Sequence, residues 1–204
     1  YLESAATDGH RLAVFLINKK ENFVEEENIS SNVENLSVTI PTRSLREIEK
    51  LVSLRTSENS IKLFYDKGQL VFISSNQIIT TRTLEGSYPN YSQLIPDTFS
   101  KLFTFNTKKL IESLERIAVL ADQQSSVVKI KLEQKDLALL SADAQDIGNA
   151  SELIPVSFDF DQFEIAFNVR YLLEGLKVIL SENVIFKCNL PTTPAVLVPE
   201  DNIN

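Results

Sequence analysis

Methionine and tryptophan are absent from the 204 residues, and cysteine and histidine occur once each, as Cys188 and His10. A lone cysteine cannot form an internal disulfide, and one imidazole beside it cannot complete a Cys/His zinc cluster. No metal and no cofactor is expected. Long hydrophobic runs are missing too: none approaches the ~20 apolar residues that span a bilayer, and the first residues lack a basic-then-apolar signal pattern. The expectation is a soluble, cytoplasmic chain with no membrane role. Positive charge is in short supply, with twenty Lys plus Arg against twenty-eight Asp plus Glu and a formal charge of -8. That balance excludes a protein that grips nucleic acid by bulk charge, because such affinity comes from neutralising phosphates. Also lacking are a nucleophile elbow, a glycine-rich phosphate loop and a metal-ligand pattern, so no catalytic residue is expected. The paired acids Asp143 with Asp146 and Asp159 with Asp161 read as solvated loop residues. The chain opens on Tyr1-Leu2-Glu3 without an initiator Met and stops at Ile203-Asn204, which reads as an interior piece of something longer.

What is present is a repeat, which fixes architecture ahead of any single motif. Three segments match: Val38-Thr39-Ile40-Pro41-Thr42-Arg43-Ser44-Leu45, Phe105-Asn106-Thr107-Lys108-Lys109-Leu110, and Phe167-Asn168-Val169-Arg170-Tyr171-Leu172. Each reads as a short strand, a polar cap and an amphipathic helix. The helix starts at Thr42, Thr107 and Val169 are 65 and 62 residues apart. Alternating, β-rich stretches at 61–65, 69–74 and 78–84 follow the first helix, and 127–132, 136–141 and 151–156 follow the second. The unit is therefore strand, helix and three strands, giving an α+β chain with helices on one face and antiparallel sheets on the other. Residues 12–18 form a further strand, and 184–188 and 195–198 begin a last set. The loop Tyr88-Pro89-Asn90-Tyr91-Ser92-Gln93-Leu94-Ile95-Pro96-Asp97 separates two units, and the domain break is placed near Pro96: 1–96 and 97–204.

On a helical wheel the first helix gathers Leu45, Ile48, Leu51 and Val52 on one face and Arg43, Arg46 and Lys50 on the other. The second buries Leu110, Ile111, Leu114, Ile117 and Ala121 and leaves Lys109 and Arg116 opposite. The third, drawn over 169–180, buries Leu172, Leu173, Leu176, Ile179 and Leu180 and exposes Arg170 and Lys177. Over 42–55, 107–121 and 169–180 there are nine basic and five acidic residues, a sum of +4 that leaves -12 on the remainder. An acidic chain has thus placed its positive charge on one repeated element. Helix faces turned to water carry some Lys and Arg in any case, so charge alone leaves a scaffold reading open beside a polyanion-facing one.

The string Ala6-Thr7-Asp8-Gly9-His10-Arg11-Leu12-Ala13 is more specific than its Asp-Gly turn signal. It resembles the hairpin in the middle domain of the bacterial DNA polymerase III beta subunit family, the sliding clamps. Leu84-Glu85-Gly86-Ser87-Tyr88-Pro89-Asn90-Tyr91, Leu94-Ile95-Pro96, Phe167-Asn168-Val169-Arg170-Tyr171-Leu172 and Ser181-Glu182-Asn183-Val184 match in the same order. The resemblance runs the length of the chain. It implies the second half of a middle domain, 1–96, and most of a third, 97–204, without its final strand. It further implies a ring of two three-domain subunits around duplex DNA, a homodimer in the full-length protein, which slides because encirclement replaces tight binding. Arg43, Arg46, Lys50, Lys109, Arg116, Arg170 and Lys177 are then the expected DNA-facing residues.

The same resemblance implies a cleft for short peptide motifs of the DNA polymerase III alpha subunit, the clamp loader and repair proteins. Residue by residue it places there Thr7, Gly9, His10, Arg11 and Leu12 from the hairpin, Pro89 and Leu94 from the loop, Asn168 and Tyr171 from the third helix start, and Thr193 and Val196 from a later strand. Apolar Leu12, Pro89, Leu94 and Val196 suit aliphatic and aromatic anchors. Gln93 stands where some clamps carry a basic residue. Other readings stay open: Asn168, like Asn106, sits where a helix N-cap belongs, and Pro89 can simply stiffen a linker. An enzyme using paired acids and a repeat-built interaction scaffold without DNA are the alternative classes.

Overall fold

The computed structural model describes residues 2–17, 36–53, 61–74, 77–121, 126–144 and 148–202. The side chain of Leu51, Arg55 and Asp146 lie outside the described residues. The chain divides into two compact units, one of residues 1–19 with 91–204 and one of residues 20–90.

In the unit of 20–90, helix α1 (Thr42–Ser53) precedes a meander of β3 (Lys62–Asp66), β4 (Gln69–Ser74) and β5 (Gln77–Arg82). Lys67 and Gly68 have φ of 44° and 80° and link Asp66 to its partner Gln69. Two left-handed residues in a two-residue loop match the right-handed strand twist, which is why glycine serves there. Thr39 bridges Leu84, and Ser44 Oγ lies 2.7 Å from Thr81 Oγ1, joining α1 to β5. Of the apolar face expected on α1, Leu45 and Val52 are 44% and 45% exposed. The described part of this unit supplies one helix and one three-stranded sheet, and Leu70 and Ser74 are its only buried residues among those described.

The other unit begins with the antiparallel hairpin of β1 (Leu2–Thr7) and β2 (Leu12–Ile17), closed by the pair Thr7 and Leu12. Its main body repeats the expected plan: β6 (Lys101–Asn106), α2 (Thr107–Ala121), β7 (Val127–Gln134), β8 (Leu137–Ala144) and β9 (Gly148–Pro155). Then come β10 (Ser157–Phe158), β11 (Phe163–Asn168), α3 (Val169–Leu176), β12 (Asn183–Cys188) and β13 (Val196–Pro199). Both four-stranded sheets are antiparallel, ordered β10-β6-β12-β13 and β11-β7-β8-β9. Each repeat's leading strand therefore pairs with the other repeat's strands.

One core serves both sheets and both helices. It includes Leu110, Leu114, Ile117 and Ala121 of α2, Val169, Leu172 and Leu176 of α3, and the inward strand residues Phe103, Phe105, Ile130, Leu132, Leu140 and Phe186. Phe103 stacks on Phe186 with ring centroids 5.1 Å apart, and Phe105 meets Phe186 edge-on at 5.6 Å. Cys188 is fully buried on β12, and burial pushes its thiol up to about 11. An apolar surround penalises the thiolate, so this sulfur behaves as a small hydrophobe.

The helix α3 is shorter than the sequence suggests. It ends at Leu176; Lys177 N–H donates to Leu173 O at 3.0 Å, then Val178 to Gly175 O at 3.4 Å and Ile179 to Leu176 O at 3.1 Å. Bonds to the third preceding carbonyl tighten the chain and break the 3.6-residue period. Ile179 still packs on the core, but Leu180, expected to be buried, is 97% exposed. Asp143 likewise lies on strand β8 rather than in a loop. Lys177 lies past the end of α3, while Arg55 is outside the described residues; within the three helices as described there are seven basic and five acidic residues, a sum of +2.

Candidate functional site

The hairpin tip is built by its own polar residues. Thr7 Oγ1 donates to Arg11 O at 2.8 Å and accepts from Gly9 N–H at 3.1 Å. Asp8 Oδ1 accepts from the backbone N–H groups of His10 and Arg11 at 3.0 and 3.1 Å, while Arg11 Nε donates to Asp8 Oδ2 at 3.0 Å. This is an Asx-type turn, in which a short carboxylate replaces a backbone acceptor. Donation from His10 N–H, reinforced by Arg11, holds the Asp8 carboxyl below the usual carboxylate range. Gly9 has φ of +87° with open space where a Cβ would stand. Substitution there costs backbone strain alone, so Gly9→Ala is expected to destabilise the hairpin by about 1–2 kcal/mol. Faster amide hydrogen exchange confined to β1 and β2 would report it; unchanged exchange would show that the turn is not strained.

The tip is tied to α3. Asn168 caps that helix, its Oδ1 accepting from Arg170 and Tyr171 N–H at 3.0 and 3.2 Å, and so fixes the backbone that carries Tyr171. The Tyr171 ring stacks with His10 at 6.0 Å between centroids and 23° between planes, and the Arg11 guanidinium carbon lies 4.6 Å from its centre. Arg11 Nη2 also reaches Glu174 Oε2 at 2.6 Å. The Glu174 carboxylate, then that of Asp8, raise the guanidinium's already high pKa. His10, Arg11, Tyr171 and Asn168, far apart in sequence, thus form one aromatic and cationic rim.

The remaining cleft candidates stand on other elements. Leu12 is half-buried at the head of β2. Leu94 closes a short 3-10 turn, Tyr91–Leu94, and is 61% exposed. Thr193 Oγ1 both accepts from Leu190 N–H and donates to Leu190 O, each at 3.0 Å, so its hydroxyl closes a turn. Val196 opens β13 opposite Lys187. Pro89 is exposed in the unit of 20–90. Two participants were not singled out from sequence, Asp8 and Glu174. A signal existed for the second: Glu174 follows Tyr171 by three residues on a helix, hence on the same side.

Of the basic helix residues, Arg43 and Arg46 are exposed on α1, and Lys50 pairs with Glu47 at 2.9 Å. Lys109 and Arg170 are exposed near the starts of α2 and α3. Lys177 pairs with Glu115 of α2 at 2.6 Å. Arg116 is engaged by Glu152 of β9: Nε donates to Oε2 at 3.0 Å, Nη2 donates to Oε1, and Ser113 Oγ donates to Oε1 at 2.8 Å. Lys50, Lys177 and Arg116, among the seven expected DNA-facing cations, therefore already hold a carboxylate.

Hydrogen bonding from Arg116 keeps the Glu152 carboxyl below its ordinary value of 4.5. A carboxylate depressed in the folded state adds stability above its unfolded value and loses it as pH falls through the lower folded one. The thermal midpoint of Glu152→Gln is accordingly expected below the parent's at neutral pH, with the gap closing as the solution is acidified beneath 4.5. A gap independent of pH would show that the pair contributes no charge-dependent stability.

Among the described residues no group of three or more His, Cys, Asp or Glu is arranged to hold a metal ion, and no helix is long and apolar enough to cross a membrane.

Comparisons with known proteins cover the chain in two steps. The family model described as DNA polymerase III beta subunit, central domain, matches residues 1–90, and that of the C-terminal domain matches residues 92–204. The beta sliding clamp of Synechococcus elongatus is 44% identical over 200 residues, which are 97% of this chain and 51% of the relative. That of Streptococcus pneumoniae is 34% identical over 207 residues, 98% of this chain and 50% of the relative. Among solved structures, the DNA polymerase III beta chain of Streptococcus pneumoniae aligns with TM-score 0.82 and 29% identity over 99% of this chain and 51% of that one. The DNA polymerase sliding clamp of Pseudomonas aeruginosa aligns with TM-score 0.86 and 26% identity over 98% and 52%. The chain spans about half the length of the curated relatives it matches.

Proposed function

Because the chain belongs to the beta subunit family of DNA polymerase III, the sliding clamps, we propose that it is the part of a processivity factor that docks partner peptides and contributes helices to a DNA-encircling ring. The observation that carries this reading is the unbroken succession of central-domain and C-terminal-domain sequence along the chain. Residues 1–96 are read as the later part of the central domain and 97–204 as the C-terminal domain. The full-length protein would close as a homodimer around duplex DNA in the cytoplasm and catalyse no reaction itself. Retention then comes from topology, and affinity must stay low: every phosphate neutralised adds salt-dependent binding that opposes sliding. An acidic chain whose basic residues Lys50, Lys177 and Arg116 are paired with Glu47, Glu115 and Glu152 suits that demand.

The rim of His10, Arg11 and Tyr171, with Leu12 beside it, is read as one wall of the peptide cleft. Aromatic and aliphatic anchors in such clefts supply most of the binding energy, while polar rim groups set orientation. The expected partners are the polymerase alpha subunit, the clamp loader and repair proteins, through peptides rich in Gln, Leu and Phe.

The test of the DNA reading is the joint change of Arg43, Arg46 and Lys50 to Ser in the full-length protein. Shortened residence on nicked circular DNA is expected, with the salt slope of association falling by up to about 3 units if each residue meets one phosphate. Unimpaired residence and an unchanged slope would remove α1 from the DNA-facing surface.

A further inference from the structure

We propose that Glu174 is a positioning residue for the peptide cleft, fixing Arg11 over Tyr171 so that the hairpin tip and α3 meet the ligand as one preformed wall. The inference rests on the cleft reading above. Arg11 has two carboxylate partners of different kinds. Asp8, at 3.0 Å, lies three residues away in the same turn and is available to Arg11 whatever the hairpin touches. Glu174, at 2.6 Å, comes from a different element and ties the guanidinium across to the helix. Between these anchors the guanidinium carbon sits 4.6 Å from the Tyr171 centroid, and the same ring stacks with His10. Tyr171 is itself held by the Asn168 cap.

A long side chain restrained at two carboxylates and an aromatic face has surrendered most of its rotamer freedom before a ligand arrives. Ordering of that kind otherwise falls on the binding step and weakens it. The Arg11 and Glu174 side chains are 39% and 63% exposed, and exposed ion pairs contribute little to folding. Loss of Glu174 should therefore act on binding far more than on stability. A merely structural contact would do the reverse.

The experiment titrates the chain, Glu174→Gln and Glu174→Asp with a short peptide rich in Gln, Leu and Phe, and follows the Arg11 guanidinium protons and Tyr171 ring by NMR. Glu174→Gln is expected to raise Kd about three- to tenfold, with the unfolding midpoint unmoved. Its Arg11 protons should lose their ring-shifted, slowly exchanging character. Glu174→Asp keeps the charge and should return Kd to within about twofold of the parent. Equal Kd in Glu174→Gln and the parent, where the parent binds saturably, overturns the positioning role and leaves the cleft standing. Weakened binding with unchanged Arg11 and Tyr171 signals overturns it as well. A parent that does not bind the peptide overturns the cleft reading, and this inference with it.

Discussion

Phe186→Ala is expected to cost the unit of residues 1–19 and 91–204 about 3–5 kcal/mol of folding stability. The ring is fully buried on β12, between β6 and β13 in its sheet. It stacks on Phe103 at 5.1 Å and meets Phe105 and Phe167 edge-on at 5.6 and 6.0 Å. Truncation removes the transfer energy of an aromatic side chain and the contacts of three neighbouring rings, and backbone already paired on both sides cannot easily collapse into the space. Against the 5–15 kcal/mol typical of a domain, roughly a fifth or more of the stability would go. Urea denaturation measures it directly. A loss below about 1 kcal/mol would mean that the cluster repacks around the cavity.

Leu12→Asp carries the largest expected effect on binding, a loss of at least about tenfold in affinity for the peptide. Leu12 is half-buried opposite Thr7, where the paired strands give way to the tip. A carboxylate there would remove an apolar contact from the wall and add a second negative charge near Asp8, which the tip's own N–H donors already keep ionised. His10→Ala should do less, because Arg11 still covers the Tyr171 ring. Isothermal titration with the same peptide distinguishes them. Parent-like affinity in both variants would place the docking site elsewhere.

Much of this was legible in local sequence because its causes are local. Asn106 and Asn168 mark the helix starts as polar caps, and both do accept helix N–H groups. The apolar period of 107–121 gives α2 both its limits and its buried face. Strands β4, β7 and β12 follow from alternating β-branched and aromatic residues bounded by turns. The end of α3 was not legible, because a switch to tighter hydrogen bonding after Leu176 leaves Val178 and Leu180 exposed without altering their apolar character. Nor was the fate of Arg116: a wheel places it outward, and only the arrival of β9 gives it Glu152. At the hairpin the tip residues were readable as a motif, while the tie to Glu174 depends on a helix more than 150 residues downstream.

Composition, caps and the repeated period by themselves determined an α+β chain of strand-helix-strand units with a net positive charge on its helices and no apolar run of bilayer-spanning length. Those properties reside in neighbours along the chain, whose spacing alone sets amphipathicity. Tertiary structure decided that β6 pairs with β12 and β11 with β7, each leading strand crossing to the other repeat. It also decided which cations keep a carboxylate and which aromatic ring the hairpin meets. Such pairings are chosen by the burial of one shared core and by the meeting of side chains distant in sequence, and no local pattern encodes which of several compatible edges or carboxylates will be the partner.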